Sequence, residues 1–236
     1  MIVETLDSLN QKIKDPFDLA HLFTLLQDAQ LGRTVFSSSL GQEDQVLTDF
    51  IYRHALPIDI FTLDTGRMFQ ETYDVLSATI KKYNKNINCF HPKHDALAEL
   101  VAMDGINGFY DSVDKRKACC GVRKIEPLKR ALEGTDVWIT GLRQEQSANR
   151  STMHHFEYDE GFDIVKFNPL IHWTLEQVNQ YLETHKVPQN KLHKKGYVSI
   201  GCAPCTRAIS EGEDIRSGRW WWESSHKECG LHQIKN

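Results

Sequence analysis

The sequence predicts an α/β protein built on a doubly wound, mainly parallel sheet. Three observations carry that expectation. Short β-branched or aromatic runs alternate with longer segments of helical periodicity. Between Arg33 and Gly141 a helical segment lies between successive strand runs, as parallel crossovers require. The loops richest in hydroxyl, Gly and Arg residues follow strand runs, at the sheet end where such folds bind ligands.

The elements follow in order. Residues 5–29 place Leu6, Leu9 and Ile13, then Leu19, Leu22, Phe23 and Leu26, at helical spacing, with Asp15-Pro16 as the start of a second helix. Arg33-Thr-Val-Phe36 reads as a strand, and Gln45 to His54 as a helix after a Ser-rich loop. Ile58 to Leu63 is the next strand, punctuated by Asp64-Thr-Gly66, and Phe69 to Tyr83 the next helix. Asn88 to His91, Asp136 to Gly141 and Asp163 to Phe167 read as further strands, Lys93 to Met103 and Thr174 to His185 as helices. After Pro188 the pattern becomes loop-rich and basic.

Composition narrows the class. The 236 residues carry 28 Lys plus Arg against 32 Asp plus Glu, a net charge of -4 that argues against a general nucleic-acid binder. No apolar run approaches the roughly 18 residues a membrane helix needs. The first residues carry acids and no basic stretch leading into an apolar core, so a cytoplasmic protein is expected.

Six cysteines are the strongest chemical signal. Cys119-Cys120 is an adjacent pair and Cys202-Ala-Pro-Cys205 a C-x-x-C. In a reducing compartment such pairs point to metal or catalysis rather than to disulfides. Adjacent thiolates can grip two iron atoms of one cubane cluster but chelate one small ion awkwardly. A [4Fe-4S] cluster is therefore favoured over tetrahedral zinc, which stays open. Cys89, in the strand-like Ile87 to His91, is expected to pack in the interior. Cys229 lies seven residues from the end with His226, Lys227 and His232 nearby, so it reads either as an exposed thiolate or as a spare thiol.

Ser37-Ser-Ser-Leu-Gly41 follows a strand and opens a helix, where backbone N–H groups and the helix dipole favour an anion. It lacks the Gly-Lys-Ser/Thr ending of a Walker A loop and is no G-x-G-x-x-G. A plain helix cap is the competing reading, as an ordinary turn is for Asp64-Thr-Gly66. Arg143, Arg150, Arg216 and Arg219 are candidate oxyanion contacts. Arg216-Ser-Gly-Arg-Trp-Trp-Trp222 is a poor solvated face and predicts an ordered flap.

Together these segments resemble the assimilatory sulfonucleotide reductases, most closely the iron–sulfur type acting on adenosine 5′-phosphosulfate (APS). The resemblance rests on Ser37 to Asp44, Leu63 to Arg67, Cys119-Cys-Gly-Val-Arg-Lys124, Thr140 to Arg143, Gly201 to Arg207, Gly218 to Glu223 and Lys227-Glu-Cys-Gly-Leu-His232. It implies an adenine-nucleotide alpha-hydrolase-like fold related to the PP-loop enzymes. Residues 1–209 would form a nucleotide- and cluster-binding domain, and 210–236 a flap and tail carrying the catalytic cysteine.

The resemblance also implies roles. Cys119, Cys120, Cys202 and Cys205 would hold one [4Fe-4S] cluster, and Cys229 would be the nucleophile. Ser38, Ser39, Gly41 and Glu43 would form the phosphate-side loop, with Leu63 and Gly66 lining the nucleoside site. Lys124, Arg143, Arg150, Arg216, Arg219 and His232 would surround the phosphosulfate. Thioredoxin or a similar dithiol carrier would supply electrons; neither nucleic acid nor membrane is an expected partner, and a homo-oligomer is allowed. The 3′-phosphorylated nucleotide (PAPS) is the alternative substrate, for one or both of which the chain would act. An ATP-dependent PP-loop ligase or sulfur-insertion enzyme is more distant, since Ser37 to Asp44 departs from Ser-Gly-Gly-x-Asp-Ser. A non-catalytic zinc or nucleic-acid module fits the charge and the loops less well.

Overall fold

The computed structural model describes residues 2–147 and 150–223. Its centre is a six-stranded sheet in the order β3-β2-β1-β4-β6-β5, with β1 Thr34–Ser37, β2 Asp59–Leu63, β3 Asn88–Phe90, β4 Val137–Ile139, β5 Phe156–Asp159 and β6 Ile164–Phe167. β1 pairs in parallel with β2 and β4, and β4 with β6, while β5 runs antiparallel to β6. The helices are α1 Ile2–Gln11, α2 Leu19–Asp28, α3 Gln42–Arg53, α4 Gln70–Tyr83, α5 His94–Asp104, α6 Val113–Cys120, α7 Glu126–Ala131 and α8 Leu175–Thr184. The expected doubly wound, mainly parallel α/β fold is what forms.

The chain divides into two compact units, residues 1–61, 76–88 and 132–189, and residues 62–75, 89–131 and 190–236. In the first, β1, β4 and β6 are buried on both faces, as central parallel strands must be. Phe36, Ile139 and Phe167 have no exposed surface, nor do Leu22 of α2, Leu47 and Ile51 of α3, or Val178 and Leu182 of α8. Burying each such side chain contributes about 1.5–3 kcal/mol. One buried carboxylate also ties helices together. Asp49 of α3 accepts from the hydroxyls of Tyr83 at 2.6 Å and Tyr181 at 2.9 Å.

The order of strands reverses between β1 and β4. In open α/β sheets this switch point is where the crevice at the carboxyl ends of the strands opens. The loops after β1 and after β4 therefore meet there.

Several expectations are corrected. The second helix starts at Asp18, whose carboxylate accepts from the N–H groups of Ala20 and His21, and not at Asp15-Pro16. Cys89 is exposed, because β3 is a three-residue strand at the sheet edge. β5 and the run α6, a π-helical turn Gly121–Ile125, and α7 form where no element was expected.

Among the described residues no helix is long and apolar enough to cross a membrane.

Candidate active site

In the first unit, the loop after β1 is held against the sheet. The Ser38 N–H donates to the Phe61 carbonyl at 2.8 Å, and the Ser38 hydroxyl accepts from the Leu40 N–H at 3.2 Å. Leu40 is buried with φ +62, an unfavourable angle for a residue with a Cβ that the surrounding loop imposes. Gly41 is the N-cap of α3 and supplies no side-chain cap; neither Ser38 nor Ser39 takes that place. Instead the Ser39 N–H and hydroxyl both donate to Asp44, each at 2.5 Å. Burial raises the Asp44 carboxyl to about 7, against the pull of those two hydrogen bonds.

The loop after β4 comes to the same place. A Cβ on Gly141 would overlap the Asp44 carboxylate, so the close approach of the two loops requires glycine there. Arg143 is buried and paired: its Nε donates to Glu43 at 2.8 Å and its Nη1 to Glu145 at 2.6 Å. Arg150 is also buried, and its Nη1 donates to the Gln146 side chain at 2.5 Å. Thus Ser38, Ser39, Gly41, Glu43 and Arg143, scattered over a hundred positions, surround the opening of α3. A helix N-terminus with a guanidinium beside it is an anion-binding arrangement.

The second unit gathers the cysteines. Cys119 and Cys120 end α6, and the π-helical turn that follows carries Arg123 and Lys124. Such turns are rare and concentrate at functional sites. Cys202 and Cys205 flank a tight turn in which the Cys205 N–H donates to the Cys202 carbonyl at 2.9 Å. Cys205, Phe109 and Trp220 form a buried cluster, with Cys119, Cys202 and Trp222 packed against it. Cys120 lies within electrostatic reach of Cys205. The described cysteines are free thiols.

The turn after β2 is clipped onto this group. Leu63, half-buried, ends the strand, and the Asp64 carboxylate accepts from the Gly66 N–H at 2.8 Å and from the Tyr73 hydroxyl at 2.8 Å. The Thr65 hydroxyl lies 3.3 Å from Cys202 Sγ, and the Ala203 N–H donates to the Arg67 carbonyl at 2.8 Å. Arg123 Nη1 donates to the Thr65 carbonyl at 2.5 Å. The flap is stitched on as well: Trp220 N–H donates to the Cys205 carbonyl at 3.2 Å, and Thr206 bridges Arg219 in antiparallel fashion. Residues 216–222 thus form an ordered flap. Arg216, half-buried, opens it through its N–H to the Asp214 carboxylate at 2.8 Å.

Charge is unevenly distributed here. Burial would push the Cys202 thiol up, but Lys124, the Thr65 hydroxyl, Arg219 and Arg123 together outweigh it and hold the thiol below its ordinary value. Burial pushes Cys205 up to about 12, with Cys202 and Cys120 adding to the effect, and burial likewise raises Cys119. The Nε atoms of Arg123 and Arg219 are buried with no hydrogen-bond partner. Among the described residues no group of three or more His, Cys, Asp or Glu side chains stands in the geometry of a metal-ion site. Four thiols in two pairs, faced by buried guanidiniums with unmet donors, nevertheless fit a sulfur-ligated anionic group.

Cys229 and His232 lie outside the described residues. Thr65, Arg67, Asp44, Arg116, Arg123 and Glu223 were not singled out from the sequence. Arg123 could have been, since it stands beside Lys124 three residues after the Cys-Cys pair.

Fold and site together define an α/β sheet protein with a serine-rich loop opening a helix at its topological switch point and two cysteine pairs in its second unit. The chain belongs to the phosphoadenosine phosphosulfate reductase domain family, whose model matches residues 33–208. An adenosine 5′-phosphosulfate reductase of Allochromatium vinosum is 52% identical over 205 residues, covering 86% of this chain and 80% of that protein. One of Agrobacterium fabrum is 51% identical over 202 residues, covering 85% and 78%. The crystal structure of a PAPS reductase from Candida auris, in a phosphate complex, superimposes with a TM-score of 0.71 at 26% identity, over 86% of this chain and 96% of that one. Yeast FAD synthetase shares the fold at 14% identity and a TM-score of 0.51, over 87% of this chain and 73% of that one.

Proposed function

We propose that this chain reduces adenosine 5′-phosphosulfate to sulfite and AMP in the cytoplasm, through a thiosulfonate on Cys229 and with thioredoxin or a similar dithiol carrier as reductant. The reading rests chiefly on one observation: the Thr65 hydroxyl 3.3 Å from Cys202 Sγ joins the nucleoside-side turn to the cysteine centre. Family membership, and relatives of about half identity named for APS, support it and favour APS over PAPS.

Cys119, Cys120, Cys202 and Cys205 would hold a [4Fe-4S] cluster. When bound, that cluster would supply a compact charged centre. The chain's own residues do the rest. Ser38, Ser39, Gly41 and Glu43 form the phosphate-side loop, while Leu63 and Gly66 face the nucleoside. Lys124, Arg143, Arg150, Arg216, Arg219 and His232 neutralise the phosphosulfate.

The Cys229 thiolate attacks the sulfur of the sulfuryl group. The bond between that sulfur and the bridging phosphate oxygen breaks, and AMP leaves with the electron pair. The phosphate is a good leaving anion, so catalysis is mainly positioning and charge stabilisation. A carrier thiolate then attacks Cys229 Sγ of the Cys-S-SO₃⁻ adduct and expels sulfite. The carrier's second thiol resolves the mixed disulfide, returning the Cys229 thiolate; two electrons come from the dithiol.

Sulfite release from APS and from PAPS, with and without reduced thioredoxin, tests the whole reading. Cys229→Ser is expected to abolish release and to leave the iron content unchanged. Normal turnover by that variant would remove Cys229 from the mechanism.

A further inference from the structure

Arg116 stands three and four residues before the cysteine pair, on the buried side of α6. Its guanidinium forms a bidentate pair with Glu223: Nε to Oε1 at 2.8 Å and Nη2 to Oε2 at 2.9 Å. The side chains are 6% and 3% exposed. Cys120 lies within electrostatic reach of Arg116. Its Cζ lies 4.6 Å from the centre of the Trp220 ring, and that of Arg219 lies 4.8 Å from the same ring. The Glu223 N–H donates to the Trp220 carbonyl at 2.9 Å, so Glu223 is held by backbone and side chain together.

A buried ion pair is a poor device for stability alone, because apolar residues of equal volume often do as well. What it adds is a fixed geometry, and a bidentate guanidinium–carboxylate pair fixes two directions at once. Glu223 is six residues before Cys229 in the sequence. Six residues of backbone reach at most about 20 Å. Over so short a span, moving the anchor by a few ångströms changes the effective concentration of the tethered thiol at its target steeply.

We propose that the Arg116–Glu223 pair is a latch that sets the origin of the catalytic tail, so that Arg116 and Glu223 are positioning residues for sulfuryl transfer to Cys229. The proposal rests on the reading of Cys229 as nucleophile. Because Arg116 stands on α6, which ends in Cys119 and Cys120, the latch ties the tail's anchor to the helix that carries the cysteine pair.

The test uses the full-length protein as purified, and three readouts: iron per chain, AMP affinity, and the single-turnover rate at which the tail peptide gains SO₃ from APS, followed by mass spectrometry. Glu223→Gln keeps the shape and removes the charge. It is expected to hold iron and AMP as the wild type does, and to slow SO₃ transfer by at least about tenfold. Glu223→Asp, which keeps the charge and shortens the arm, serves as the second variant and is expected to fall between. Transfer at the wild-type rate in both variants overturns the latch, as does a loss of rate that merely follows loss of iron. A wild-type protein that gains no SO₃ on the tail overturns the reading of Cys229 instead.

Discussion

Arg143 and Glu43 share a short ion pair, Nε to Oε1 at 2.8 Å, although Glu43 stands in the first turn of α3 and Arg143 follows β4, and they are 6% and 15% exposed. The pair holds the guanidinium at the mouth of α3, with Glu145 as a second partner at 2.6 Å. On the proposed function, an incoming oxyanion would meet an arginine already oriented. Truncating one partner of a buried pair leaves the other charge stranded. Arg143→Ala is therefore expected to lower stability by about 3 kcal/mol in urea denaturation and to reduce sulfite release by at least about a hundredfold. Arg143→Lys is not expected to restore it, since an ammonium cannot reproduce the fork. Full activity in the lysine variant would refute a directional role.

Asp44 makes stability depend on pH in an unusual sense. Its folded value of about 7 lies above the ordinary 3.8, with burial as the main cause. Between those values the unfolded chain releases this proton and the folded chain keeps it. Folding therefore binds a proton, and this group's contribution to stability falls as pH rises from about 4 to about 7. The full span corresponds to about 4 kcal/mol at 1.36 kcal/mol per unit. Asp44→Asn keeps an oxygen to accept from Ser39 and cannot ionise. Relative to the wild type it should gain stability on going from pH 5 to pH 8. A difference between the two proteins that does not change with pH would exclude a raised carboxyl.

The four thiols should act as one set. Cys202→Ser and Cys205→Ser are each expected to lose most of the bound iron, measured chemically per chain. Zinc in stoichiometric amount with no iron in the wild type would replace the cluster by the competing tetrahedral site. Undiminished iron in either serine variant would remove that residue from the ligand set.

Some of this was legible in the sequence because its signals are local. The alternation of strand and helix runs is written in periodicity, and Cys119-Cys120 and Cys202-x-x-Cys205 are written in spacing. β5 was not legible: Phe156-Glu-Tyr-Asp159 is a short edge strand with polar residues, and only its pairing to β6 makes it a strand. The run from Val113 to Ala131 was missed because half of the residues in α6 and α7 carry charge and leave no apolar stripe. Cys89 was expected to be buried because Ile87 to His91 reads as a strand, yet an edge position exposes it. The Arg116–Glu223 pair spans 107 positions and has no sequence signature at all.

Gly201 offers a final test, because its importance comes from space alone. A Cβ there would run into the Arg219 guanidinium. Arg219 is 7% exposed and stacked on Trp220, with its Nη1 3.5 Å from the Ser199 hydroxyl, so it has little room to retreat. Adding one methyl group to a packed interior typically costs about 1–3 kcal/mol. Gly201→Ala is expected to fall in that range by urea denaturation and to alter tryptophan fluorescence, since the displaced guanidinium leaves the Trp220 ring. Gly121→Ala is the control: an added Cβ there meets nothing within 4 Å, and the residue sits in a helical turn where alanine is favoured. If Gly201→Ala proves as stable as the control, Arg219 is not confined as described, and the stacked arrangement over Trp220 does not hold the flap in place.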